Sequence, residues 1–205
     1  MDSEQWDHRY AAKDLVWSAG PNRWVEEVAT GLPPGRALDL AAGEGRNALW
    51  LAERGWSVTA VDFSAVAVER ARSLAAQRLG EHAGRVQLVE ADVRHYASAP
   101  AAFDLVMVVY LQVEAVLRRQ VMRSAATAVA PGGLLLVAAH DSENLAHGTG
   151  GPQDPAVLYR ADDVAADIEG CGLRLDRAEA RLRPVEGSRD AIDAFLLATR
   201  DAAAS

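Results

Sequence analysis

The run Asp39-Leu40-Ala41-Ala42-Gly43-Glu44-Gly45-Arg46-Asn47 sets a carboxylate and an arginine around closely spaced glycines, and a second carboxylate, Asp62, follows 19 residues after Gly43. Glycine lets the backbone approach a ligand closely, and a carboxylate at a strand tip can accept both hydroxyls of a ribose. The chemistry such a set can do is to hold a nucleoside cofactor. Gly43-x-Gly45-x-x-Ala48 fits the dinucleotide fingerprint, so a nicotinamide-dependent oxidoreductase is one reading. Asp39 favours another, because a negative group beside the glycine loop suits an ammonium or sulfonium better than a pyrophosphate. Asp92 stands where a strand end could accept a hydrogen bond from an adenine amino group.

A second set could serve an acceptor. Tyr110 ends one apolar strand and His140 follows another, and His140 supplies a base near neutral pH. Trp6, Arg9, Tyr10 and Trp17 crowd the first 17 residues, where an aromatic face could attract a sulfonium and a basic or hydroxyl group could hold a carboxylate. The plainer role for these aromatics is packing. His140, Asp141 and Asn144 could also take a divalent cation, but no second acidic cluster matches them, and no metal is expected. Cys171, between two glycines and away from any basic cluster, reads as an inert thiol.

The elements that must position these residues follow from alternation of short apolar runs with helical-period stretches, the pattern of a parallel sheet with crossover helices. Strands are expected over 36–40, 58–61, 86–89, 103–110 and 134–139. Helices are expected over 47–54, 65–79 (with Ser64 as N-cap), 114–130 and 162–169. Residues 141–155, with Gly148-Thr149-Gly150-Gly151-Pro152, read as a lid or binding loop. The runs 173–182 and 191–200 read as a hairpin. The fold class is α/β, a Rossmann-like doubly wound sheet of five parallel strands with a C-terminal antiparallel hairpin. It is one domain over 1–205, with a helical cap over 1–35, a sheet core over 36–205 and a lid over 141–160.

Composition limits the partners. The chain has 205 residues, 21 Lys+Arg against 29 Asp+Glu and one cysteine. A net charge of −8 without a basic run speaks against nucleic acid, which needs clustered cations. No apolar run approaches the ~20 residues that span a bilayer, and no leader pattern opens the chain. A cytoplasmic protein, monomeric or homodimeric, acting on a small molecule is the expectation.

Taken together, the glycine loop, the three aspartates and the hairpin resemble the class I S-adenosylmethionine-dependent methyltransferases. More narrowly, Leu38-Asp39-Leu40, residues 45–52, Pro131-Gly132-Gly133 and residues 137–141 are similar to the bacterial tellurite-resistance and thiopurine-type enzymes. The resemblance implies S-adenosylmethionine as cofactor. Asp39, Ala41, Gly43, Gly45 and Arg46 would lie around its methionine part, Asp62 and Phe63 at the ribose, and Ala91, Asp92 and Val93 at the adenine. Val109 would close the site, Tyr10 and Trp17 would cap it, and His140 and Tyr110 would serve catalysis facing the methyl. Ala41 departs from the family's first motif glycine, which suits a position with negative φ. Arg181-Leu182-Arg183 stands where the tellurite enzymes carry a His-Arg pair, which argues against tellurite. The expected reaction is methyl transfer to an S, O or N nucleophile. The alternatives are the oxidoreductase and a non-catalytic binding module.

Overall fold

Strands hydrogen-bond in the orders β3-β2-β1 and β4-β5-β7-β6 in the computed structural model, which describes residues 6, 7 and 20–202. Two compact units divide the chain between Tyr96 and Ala97. The first carries α1 (Arg23–Ala29), β1 (Arg36–Leu40), α2 (Arg46–Glu53), β2 (Ser57–Asp62), α3 (Ala65–Leu79) and β3 (Val86–Glu90). The second carries β4 (Phe103–Val109), α4 (Ala115–Ala128), β5 (Val129–His140), α5 (Asn144–His147), α6 (Ala161–Asp167), β6 (Arg174–Arg183) and β7 (Ala191–Thr199). The expected parallel strands with a closing antiparallel hairpin are the observed layout.

In the first unit, β1 and β2 run parallel with Asp39 opposite Ala60, and β2 and β3 run parallel with Asp62 opposite Glu90. Both carboxylates therefore reach the same carboxyl edge. Trp24, Trp50 and Trp56 are buried, together with Leu38, Leu49 and Leu51. Three of the five tryptophans thus act in packing, as an apolar body of this size does in a core. The Ser64 side chain accepts from the Ala67 N–H and starts α3, whose Ala67, Ala71 and Ala75 face inward. The Asn22 N–H donates to Asn47 Oδ1 at 2.8 Å, tying the entry of α1 to α2.

In the second unit, β4 pairs with β5 in parallel, β7 lies antiparallel to β5 with His140 opposite Asp193, and β6 lies antiparallel to β7. Two boundaries differ from expectation. β5 begins at Val129 and passes through Pro131-Gly132-Gly133, because the Gly132 N–H donates to the Arg200 carbonyl and the Arg200 N–H to the Gly133 carbonyl. A Cβ on Gly133 would sit 2.9–3.0 Å from three carbonyl oxygens, so only glycine lets the neighbouring backbone close in there. The loop after β5 contains α5, fixed by the buried Asn144, which accepts from the Ile192 N–H at 2.7 Å and donates to the Gly150 carbonyl at 2.9 Å. Arg118 on α4 and Asp167 on α6 form a buried ion pair at 2.6 Å. Among the described residues, no helix is long and apolar enough to cross a membrane.

Candidate active site

The sharp turn from β1 to α2 follows from three residues with positive φ: Ala41 at 60°, Gly43 at 57° and Gly45 at 78°. Ala41 is a correction to the expected negative φ. Its Cβ is held in the left-handed region, which costs an alanine about 1–2 kcal/mol. The reward of the turn is the placement of Asp39, 1% exposed just before it. Neither Asp39 oxygen has a hydrogen-bond partner. Burial pushes its carboxyl up to about 7, against the lowering influence of the half-buried Arg46, and the neighbouring Asp62 adds to the rise. A buried polar atom without a partner is rare and signals a ligand or stored strain.

Asp62 is organised differently. Its Oδ2 accepts from the Gly43 N–H at 2.7 Å and its Oδ1 from the Ser64 N–H at 2.9 Å, so the carboxylate also shapes the glycine turn. Burial raises its pKa, and the backbone N–H groups of Ser64, Gly43 and Phe63 oppose that. Each oxygen retains a lone pair for a further donor. The Ser64 hydroxyl donates to Asp7, whose carboxylate also receives the Val66 N–H at 3.4 Å. Phe63 is half-buried beside them. After β3, the Ala91 N–H donates to the Asp62 carbonyl at 2.9 Å, and Ala91, Asp92 and Val93 are half-buried. The Arg94 side chain, donating to Asp92 at 2.7 Å, holds that carboxyl below its ordinary range. Tyr10 and Trp17 lie outside the described residues.

The second unit gathers a separate cluster at the ends of β4, β5, β6 and β7. Val109 ends β4 buried, and Tyr110 follows at φ 57°, its N–H donating to the Ala138 carbonyl at 2.7 Å. A bulky residue in the left-handed region is an outlier of the kind that collects at functional sites. The Tyr110 hydroxyl donates to Asp193 Oδ2 at 2.8 Å, and the Tyr110 and His140 rings lie 4.9 Å apart. Asp193 is fully buried and receives Arg183 Nε at 2.8 Å. His140 Nδ1 stands 3.7 Å from Asp193 Oδ1 and is buried without a hydrogen bond. The Gln112 side chain accepts from the His140 N–H at 2.7 Å and donates to the Val157 carbonyl at 2.6 Å. Burial lowers the His140 pKa, Asp193 raises it and Arg183 lowers it.

Asp193, Arg183 and Gln112 were not among the expected site residues. Asp193 had a visible signal: a carboxylate inside Ala191-Ile192-Asp193-Ala194-Phe195, where a buried strand has no place for a charge without a partner. Among the described residues, no three His, Cys, Asp or Glu side chains gather to hold a metal ion.

Asp39 fits this site to a cationic nucleoside. Its orphaned, buried oxygens, beside a turn that brings backbone close, suit an ammonium or sulfonium. Residues 37–133 match a family model described as a methyltransferase domain. The Bacillus subtilis (strain 168) protein YqeM, which carries a methyltransferase name, is 28% identical over 166 residues, covering 76% of this chain and 65% of its own. The match thus spans just under two thirds of that relative. A protein solved in a study of the conversion of a disulfide bond into a thioacetal group during echinomycin biosynthesis superposes with a TM-score of 0.76. It is 22% identical and covers 99% of this chain and 93% of its own. The glycopeptide N-methyltransferase MtfA, solved with S-adenosylmethionine, superposes at 0.65 with 21% identity, over 88% and 87% of the two chains. These likenesses establish the fold.

Proposed function

We propose that this chain is a class I S-adenosylmethionine-dependent methyltransferase that transfers a methyl group from that cofactor to a small-molecule acceptor. The observation that carries the reading is Asp39, a fully buried carboxylate with two unpartnered oxygens beside a turn with three positive φ angles. When bound, the cofactor supplies an electrophilic methyl on a sulfonium. Asp39 takes a cationic group of the methionine part, with Arg46, Ala41, Gly43 and Gly45 around it. Asp62 and Phe63 take the ribose, and Ala91, Asp92 and Val93 the adenine.

In-line displacement asks the enzyme for alignment and a dry surround more than for a covalent nucleophile. His140 and Tyr110 are the groups to meet an acceptor, with residues 141–160 as their cover. The chain works as one domain, monomeric or homodimeric, in the cytoplasm. Calorimetric titration with S-adenosylmethionine is the test, with 1:1 binding expected. A thermal comparison with NAD separates the oxidoreductase reading, since ligand at 100 times its Kd adds about 2.7 kcal/mol. Stabilisation by NAD and none by S-adenosylmethionine would overturn the proposal.

A further inference from the structure

Resting on the methyl-transfer reading, we infer that Asp193 and Arg183 form a positioning pair that presents His140 Nε2 as a general base, so that the methyl acceptor is a hydroxyl group, a phenol above all.

Nδ1 of His140 is the buried ring nitrogen, 3.7 Å from Asp193 Oδ1. A proton on Nδ1 faces a carboxylate, whereas a lone pair there would repel it, so the Nδ1–H tautomer is favoured and Nε2 keeps its lone pair. Asp193 is fixed from two sides, by the Tyr110 hydroxyl at 2.8 Å and Arg183 Nε at 2.8 Å. The ring is fixed as well. Its backbone N–H is held by Gln112, one face lies by Tyr110, and a Cβ on Gly151 would come within 2.7 Å of it. An ion pair serving only to join β6 to β7 would need neither a strained Tyr110 at φ 57° nor a histidine held with Nδ1 unbonded.

The arrangement selects an acceptor class. The charged groups around the ring are Asp193 from β7 and Arg183 from β6, with the Tyr110 hydroxyl beyond β4. Burial and Arg183 outweigh Asp193, which keeps the imidazole neutral at pH 7 and able to accept a proton. A neutral amine needs no base to become a nucleophile, and a thiol near 8.5 ionises readily. A phenol near 10 gains most from one. As the acceptor oxygen bonds the methyl carbon, the carbon–sulfur bond breaks with its electron pair left on sulfur. The acceptor's proton passes to Nε2, and the imidazolium so formed faces Asp193.

The test begins with histidine side-chain nitrogen NMR on the full-length protein without cofactor, with His140→Gln giving the assignment. Above its titration His140 should show the Nδ1–H tautomer. Asp193→Asn should lower its midpoint, and Arg183→Gln should raise it. An Nε2–H tautomer, or midpoints that neither variant moves, would overturn the positioning role, and Arg183→Gln keeps the test decisive if Asp193→Asn fails to fold. Turnover with S-adenosylmethionine and size-matched phenols and alkanethiols then reads the acceptor class. Loss of the base should cut kcat for phenols by about 10²-fold or more, with KM little changed and thiol turnover falling far less. Thiols methylated and phenols not, by a protein that binds the cofactor, would overturn the hydroxyl assignment. Absence of cofactor binding would instead sink the underlying reading, while the histidine titrations still judge the positioning.

Discussion

Replacing Asp39 with asparagine should strengthen the free protein and cripple its binding of the cofactor. The carboxyl moves from an ordinary 3.8 to about 7 on folding. At 1.36 kcal/mol per pH unit, that is worth about 4 kcal/mol of differential stability. The folded state binds the proton more tightly, so no cost is present below pH 4. It grows as the pH rises from 4 to 7 and is complete above pH 7. Asparagine removes the charge but keeps buried polar atoms without partners, which returns roughly 1–3 kcal/mol. A net gain of about 1–3 kcal/mol therefore remains at pH 8, or roughly 3–10 °C in Tm for a chain of this size. Below pH 4, where the Asp39 carboxyl is neutral, the gain should be gone and only the roughly 1–3 kcal/mol cost of the buried amide should remain. Thermal melts of both proteins across pH, with calorimetric titration of S-adenosylmethionine at pH 8, read both consequences. The wild-type affinity should itself rise between pH 5.5 and 8, as Asp39 ionises to meet a cation. A variant that melts lower than wild type at pH 8, or that binds the cofactor equally well, would refute the reasoning.

Other expectations are simpler to check. Ala41→Gly relieves a Cβ at φ 60° while adding unfolded-chain freedom, for a net gain of about 0.5–1 kcal/mol and ~1–3 °C in Tm by calorimetry. Gly45→Ala, at φ 78° with its new Cβ 3.2 Å from Ala71, should move Tm the other way. Gly151→Ala drives a Cβ into the His140 ring at φ 76° and should destabilise by roughly 1–3 kcal/mol in a denaturant titration. A neutral result there would mean that the loop does not press on the ring.

How much could be read beforehand depended on sequence distance. The glycine turn, Asp39 and Asp62 lie within a single strand–turn–helix–strand, so spacing alone set them on one sheet edge. The burial of Trp24, Trp50 and Trp56 followed from the same local periodicity. The His140 cluster was legible only in part, because Arg183 and Asp193 lie 43 and 53 residues further along the chain than His140 and reach it through pairings of β5, β6 and β7. The sign of φ at Ala41 was misread for another reason. Alanine's preference is local, but the turn is imposed by Asp62, which holds the Gly43 N–H. The start of β5 was placed late because Pro131-Gly132-Gly133 resembles a loop until Arg200 supplies its partners.

The insertion of β7 between β5 and β6 constrains the order of synthesis and folding. β6 is made before β7, yet its ladder partners are all on β7, from Arg174 opposite Thr199 to Arg183 opposite Ala191. While the ribosome is still short of residue 191, β5 therefore has an open antiparallel edge from Leu134 to His140. Apolar edges of this kind recruit other chains. The second unit must wait for its last strand to close, so a stall or cleavage before residue 191 would leave a nascent chain dependent on chaperones, while the three-stranded first unit is already complete.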